Sequence, residues 1–276
     1  MNTLPKTNFT DVLNKAQLEF LAEKLPEPAA LTGRPAYSNS VLLPGILKVL
    51  RSGCRWRDLD APGSDLPSGV THWRRLNLWQ ARLGLRPIWK LLLKLLVKAG
   101  LVNLSIVKLD GSLSLVPSCR FRQGVGYSGK HKQNGVKLSA AVDEEGLPLS
   151  VRLASGNVHD LPLALPTLEA IRIGKRTRPG IVLADKGYDS RQLRRALRQK
   201  GIKANVPERQ YQKRRKRGRP SKYDPELGKT RFAVERTKGW LKSFKRIHFR
   251  FDRTLVMFEA WVLLACVVIC LRRLVS

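Results

Sequence analysis

A chain of 276 residues with 43% hydrophobic content is long enough for one large domain or two ordinary ones, and rich enough in apolar residues to bury a core. Its 52 Lys and Arg against 21 Asp and Glu leave a net charge of +31, which excludes a self-sufficient neutral globule and implies a polyanionic partner, nucleic acid being the commonest. Cys54, Cys119, Cys266 and Cys270 form no CxxC pair and no Cys/His metal spacing, so a reduced, cytoplasmic protein is the simple expectation.

The first hundred residues read as helices. The segment from Met1 to Asp11 is polar and lacks the apolar run of a signal peptide. Asp11 to Lys24 has apolar residues at helical spacing (Val12, Leu13, Ala16, Phe20, Leu21) and stops at Pro26. After the turn Gly33-Arg34-Pro35, Ser38 or Ser40 can cap a second helix that runs to about Arg51, with Gly53 after it. Ser68 caps a third, about Val70 to Leu83. A fourth is expected from Trp89 to Ala99, with a basic stripe of Lys90, Lys94 and Lys98.

After Gly100 the period shifts towards strands. Ile106 to Val116, Lys137 to Val142 and Leu149 to Ala154 are predicted strands, the last two joined by a hairpin turn at Asp143-Glu144-Glu145-Gly146. Asp160 caps an expected helix to about Ile173. Ile181 to Ala184 is a short buried-type strand, Ser190 caps a helix to Lys200, and Ala204 to Pro207 is a last strand. One long helix is predicted from Pro225 to about Ile247, capped by Asp224 with Pro at its first position. Leu255 to Leu271 is apolar, but it is short of the roughly 20 residues that span a bilayer and contains Glu259, which favours a buried core helix over a membrane segment. Charge is uneven: residues 172 to 222 hold 19 basic and 3 acidic residues.

In a chain so poor in acids, their places matter. Asp110 interrupts the first strand, and Asp185 follows the buried run Ile181 to Ala184, at a strand end where α/β proteins collect catalytic groups. Glu235 lies in a helix among basic residues. Three carboxylates from separate elements suit Mg²⁺ or Mn²⁺, which prefer hard oxygen ligands. Two such ions about 3.5 to 4 Å apart activate the attacking oxygen and stabilise the leaving one in phosphodiester exchange. Each acid also has a plainer reading: a strand-end Asp bonding local backbone, a turn residue before Gly187, and a solvated helix acid pairing Arg231 or Lys238. Asp189 and Asp160 read as helix caps, and His159 as a weaker candidate for the site. Lys130, His131 and Lys132 read equally as phosphate contacts or a solvated loop.

Taken together, Asp110-Gly111-Ser112, Gly156-Asn157-Val158-His159-Asp160, Ala184-Asp185-Lys186-Gly187-Tyr188-Asp189-Ser190 and Val234-Glu235-Arg236-Thr237 with Trp240-Leu241-Lys242 resemble the DDE transposases of bacterial insertion sequences, in particular the insertion-sequence-five-like group. Gly33-Arg34-Pro35 and the segment Arg51 to Leu59 extend the resemblance into the helical part. It implies an α/β fold whose ribonuclease H-like mixed-sheet catalytic domain, 101–276 with a basic loop at 209–222, follows a helical DNA-binding region, 1–100. It also implies that Asp110, Asp185 and Glu235 are catalytic and hold the metal, and that Arg231 and Lys242 share the Glu235 face. Where the family's last motif has Tyr, this chain has Gly228, which weakens the helix.

The expected partner is double-stranded DNA: the element's terminal inverted repeats and a target, held by a homodimer in the bacterial cytoplasm at the nucleoid, with no membrane role. The expected cofactor is two Mg²⁺ (or Mn²⁺) ions. Lys213, Arg214, Arg215, Lys216, Arg217 and Arg219 form a polyelectrolyte for backbone contact. Arg217-Gly218-Arg219-Pro220 also resembles a minor-groove hook. The second and third helices suggest a helix-turn-helix variant with Thr71, His72, Arg74, Arg75, Gln80 and Arg82 towards DNA. Trp56, Trp73, Trp79 and Trp89 read as core. The rivals are a ribonuclease H-like nuclease or resolvase without strand transfer, an inactive transposase-derived DNA-binding protein, and a basic RNA-binding structural protein. No Gly-rich ATPase loop is present.

Overall fold

The computed structural model describes residues 12–28, 35–62, 66–82, 84–117, 122–174, 178–209 and 223–274. Two compact units divide the chain: Met1–Leu96, Leu115–Gln123 and Leu241–Ser276 form the first, and Val97–Ser114 and Gly124–Trp240 form the second.

The first unit opens with α1 (Lys15–Lys24), which starts later than the apolar spacing suggests because Asn14 and Gln17 close a reciprocal cap at its N-terminus. Val12 and Leu13 are buried ahead of it. Helix α2 (Asn39–Ser52) ends at Gly53, whose φ of 72° is the left-handed conformation that glycine adopts without strain. A short 3-10 turn, Trp56–Asp60, leads to α3 (Gly69–Ala81), where Ser68 caps the amide of Thr71 at 3.3 Å. Helix α4 (Leu85–Lys98) begins four residues before the expected Trp89, because the first turn of a helix tolerates Pro87.

The second unit is a mixed α/β layer structure. Its elements in chain order are β1 (Ile106–Leu115), β2 (Gly126–Ser128), β3 (Gln133–Val142), β4 (Pro148–Ser155), α5 (Asp160–Glu169), β5 (Ile181–Leu183), α6 (Arg191–Gln199), β6 (Lys203–Asn205), α7 (Pro225–Lys229) and α8 (Phe232–Ser243), of which the last residue of β1 and the last three of α8 fall in the first unit. The sheet order is β2-β3-β1-β5-β6, with β4 also on β3. Strands β2 to β4 pair antiparallel, and β1, β5 and β6 run parallel. This is the expected ribonuclease H-like mixed sheet with helices ahead of it. Strand β2 escapes sequence reading because Gly126-Tyr127-Ser128 is too short to show alternation.

The long helix expected from Pro225 to Ile247 is three. It breaks at Thr230 and Arg231, where the Thr230 hydroxyl turns back to Leu227 O (2.9 Å) just after helix-weakening Gly228. It breaks again at Phe244, ahead of α9 (Lys245–His248). The last helix, α10 (Leu255–Leu274), is 20 residues, longer than expected, and is long and apolar enough to cross a membrane by composition. Every residue from Ala260 to Leu271 is nevertheless buried inside the first unit, as a core helix would be. Trp261 stacks on Trp56 at 5.4 Å, and Arg86 pairs with Glu259. Among the described residues Cys54 and Cys266 are free thiols and Cys270 is buried; Cys119 lies outside the described residues.

Candidate active site

Strands β1 and β5 set the first two carboxylates side by side. Ile106 pairs with Ile181, Val107 with Val182 and Lys108 with Leu183, a constant offset of 75 residues that brings Asp110 level with Asp185 at the carboxyl end of β5. Each aspartate ties one oxygen to nearby backbone. Asp110 Oδ1 accepts from Gly111 N at 2.7 Å, and Asp185 Oδ1 from Gly187 N at 2.8 Å, which caps a 3-10 turn over Lys186–Tyr188. The local-backbone reading of each acid is therefore true of one oxygen and leaves the second to other partners.

Helix α8 supplies cations to that second oxygen. Lys238 Nζ lies 2.5 Å from Asp110 Oδ2, and Arg231 lies 3.7 Å from it just ahead of the helix. Glu235 sits between them in sequence, four residues after Arg231 and three before Lys238, a spacing that puts it on the same side of α8 as Lys238. Glu235 is exposed and takes neither cation, contrary to the plain reading of it as their ion-pair partner. Among the described residues no three His, Cys, Asp or Glu side chains converge closely enough to hold a metal ion. The donor chemistry still fits a hard divalent cation, and the Lys238 ammonium occupies the cation position on Asp110.

Two neighbours complete the second unit's site. A Cβ on Gly111 would meet Asp160 Oδ1 at 2.0 Å, so the Asp-Gly pair is needed to seat the Asp160 carboxylate on β1. Asp160 pairs with buried Lys137 at 3.1 Å. His159, not Asp160, holds the cap position of α5, and its side chain makes no capping bond, which corrects the capping reading. Tyr188 is buried, and its hydroxyl has no hydrogen-bond partner among the described residues. Burial, then the charges of Asp160, Asp110 and Asp185, push its pKa up. Ser190 caps α6, while Asp189 instead accepts from Arg194 (3.0 Å) and from Arg209 N (2.8 Å).

The remainder of the Glu235 motif docks α8. Arg236 donates to Glu145 O and stacks over Phe232 and Trp240, and Thr237 donates to Gly146 O. Gly146 must be glycine here, with φ 94° and a Cβ that would lie 2.7 Å from Thr237 Oγ1. The hairpin turn is thus a platform for the Glu235 helix, a role its sequence did not signal. Lys130, His131 and Lys132 are exposed between β2 and β3. Lys242 lies in the part of α8 that belongs to the first unit. Lys213, Arg214, Arg215, Lys216, Arg217 and Arg219 lie outside the described residues.

In the first unit, the expectation that Arg75 faces DNA is corrected. Arg75 is 5% exposed and donates to Glu27 (3.0 Å), Asn39 (2.6 Å) and Tyr37 O (2.5 Å). It serves as an internal tie because α3 turns it to the same side as buried His72, Leu76 and Trp79. His72 and Gln80 are buried too and leave the DNA-facing set. Arg74 and Arg82 are exposed, Arg82 donating to Glu27 O at 2.9 Å. Trp79 and Trp89 are core as expected, whereas Trp73 is exposed.

Comparisons with known proteins place the chain in a family. The family model described as "Transposase DDE domain" matches residues 104–270, and that described as "Putative transposase of IS4/5 family" matches residues 13–89. The "Putative transposase for insertion sequence element IS402" of Burkholderia cepacia is 37% identical over 142 residues, 49% of this chain and 63% of that protein, so the chain spans less than two thirds of that relative. The "Putative transposase for insertion sequence element IS6501" of Brucella ovis is 35% identical over 136 residues, 49% of this chain and 98% of that one. The solved "Mos1 Strand Transfer Complex" aligns over 82% of this chain and 70% of its own, at 13% identity and a TM-score of 0.31, too low to carry weight. The domain match covers both aspartates, Glu235 and the strands and helix that carry them, and the chain belongs to the transposase DDE domain family.

Proposed function

We propose that the protein is the transposase of a bacterial insertion sequence, which binds the element's ends, cleaves them and joins them to target DNA. The observation that carries this reading is the placement of Asp110 on β1 and of Asp185 two residues past the end of the adjacent parallel β5, with Lys238 of α8 and Arg231 just ahead of it both reaching Asp110 and Glu235 between them in sequence. Asp110, Asp185 and Glu235 would hold Mg²⁺ or Mn²⁺, as two ions, which supply an activated oxygen nucleophile and charge stabilisation at the leaving oxygen. Arg231 then serves to hold a DNA phosphate beside them, and Lys238 gives up Asp110 when Glu235 swings in. Lys242, the basic run Lys213 to Arg219, and Arg74 and Arg82 supply backbone contacts; Arg75 does not. The work is done in the cytoplasm by a dimer that brings two ends together.

The test is incubation of the full chain with its element's own end DNA, a plasmid target and Mg²⁺. Nicked ends and joined products are expected. Asp110→Asn and Glu235→Gln should each lower both by about a thousandfold, the scale of several kcal/mol of lost charge stabilisation, with melting temperature kept. Nicking without joined product would leave a nuclease; unchanged processing by Asp110→Asn would sink the catalytic assignment.

A further inference from the structure

Helix α6 carries four arginines and no acid in nine residues. They are not alike. Arg194 turns inward to Asp189 and to Val206 O (2.6 Å), beside the buried Leu193 and Leu197. Arg191, Arg195 and Arg198 are exposed on the outer side, and none of the three has an ion pair among the described residues. Their spacing of four and three residues sets them along one face, over about 10 Å of helix. Like charges at this spacing cost a few tenths of a kcal/mol per pair in the free protein. At the far end of α6, exposed Arg178 donates to Lys200 O (2.9 Å), and exposed Lys203 lies on β6, the edge strand that packs on α6. The near end is tied to the candidate active site: Arg191 is six residues past Asp185, separated by one 3-10 turn and the Ser190 cap.

From this we infer that the Arg191-Arg195-Arg198 face, extended by Arg178 and Lys203, is the docking surface for the backbone of the target duplex. The inference rests on the transposase reading and adds to it a surface that the carboxylates do not define. Charge complementarity selects a polyanion, and the line of guanidinium groups leading away from Asp185 selects an extended one that passes the site. Target DNA is the occupant assigned because a grip made of phosphate contacts is indifferent to sequence. An element end, by contrast, has to be told apart from other DNA.

The experiment uses the full chain with Arg191, Arg195 and Arg198 all changed to Gln, and a second variant with all three changed to Lys. Both residues keep helix propensity near that of Arg, and melting curves confirm the fold. In the first arm, a fluorescein-labelled random-sequence duplex of about 30 base pairs is titrated across a NaCl series. The Gln variant is expected to bind more weakly, with the slope of log K against log salt reduced by about 2 to 3, and the Lys variant to keep the parent slope. In the second arm, element-end DNA and plasmid are supplied with Mg²⁺. The Gln variant is expected to cleave ends within about twofold of the parent and to join them to plasmid about tenfold less well, since each lost phosphate contact lowers the affinity of that complex. Unchanged joining, or cleavage that falls in step with joining, overturns the target assignment. If the parent neither cleaves nor joins, the transposase reading fails, and the first arm still decides whether this face holds a duplex; an unchanged salt slope there overturns it.

Discussion

Asp143 shows how a turn residue becomes an internal acid. It is 1% exposed, and its Oδ1 accepts from Glu145 N at 3.1 Å and Leu147 N at 2.7 Å, closing the β3–β4 turn on which α8 docks. Burial is the largest influence and lifts its pKa from 3.8 to about 6, against those backbone bonds, which lower it. The folded carboxyl therefore binds its proton more tightly than the unfolded one. The stability it contributes is full below pH 4 and is lost as pH rises through about 6, by at most about 3 kcal/mol. Asp143→Asn keeps an acceptor for both amides and removes the charge. We expect it to be more stable than the parent by about 1 to 2 kcal/mol at pH 8, with the gap closing towards pH 4. Urea unfolding at several pH values checks this, and a gap that does not depend on pH would sink it. At this scale the sequence was partly legible. Asp110 stood out because strand interiors seldom hold acids, and Asp185 because it follows a buried run at a strand end, whereas Asp160 resting on Gly111 depends on a contact between β1 and α5 that no local pattern encodes.

At the scale of elements, caps and breakers were the readable signals. Ser68, Ser190, Asp224 and Gly53 each do at a helix end what their chemistry predicts. Faces were harder to read. Helix α3 is mixed in polarity all round, so periodicity could not say that Arg75 points inward and Arg74 outward. The two neighbours now have opposite expectations. Arg75→Ala removes the donor that ties half-exposed Glu27, buried Asn39 and Tyr37 O together and should cost about 1 to 3 kcal/mol, as the loss of buried hydrogen bonds does, and so weaken the first unit. Arg74→Ala should change stability by less than about 0.5 kcal/mol. If α3 contacts DNA, it should also lower affinity for element-end DNA. Thermal melts and binding titrations of the two variants side by side decide this. Equal stability of both would mean that the Arg75 ties carry no weight.

For the whole molecule, order along the chain is a poor guide to partnership. Helix α10 is apolar on every side and needs neighbours all round, and it clusters with the N-terminal helices more than 150 residues upstream in sequence. Only a long-range contact could reveal that return. The charge, by contrast, was legible at once, and it has a consequence for folding as well as binding. A net +31 repels itself in the DNA-free state, and the exposed arginines of α6 show how little of it is locally compensated. Salt screens that repulsion, with a Debye length that falls from about 14 Å at 50 mM to about 6 Å at 300 mM. Raising NaCl over that range should therefore raise the melting temperature of the free protein by a few degrees. The same change releases bound DNA: a protein touching about 6 to 10 phosphates loses a thousandfold or more in affinity. Opposite salt responses of stability and binding, measured by calorimetry and anisotropy on one preparation, are the expected signature of a chain whose charge is arranged for a polyanion. A melting temperature that falls with NaCl would mean that the basic residues are already neutralised within the fold.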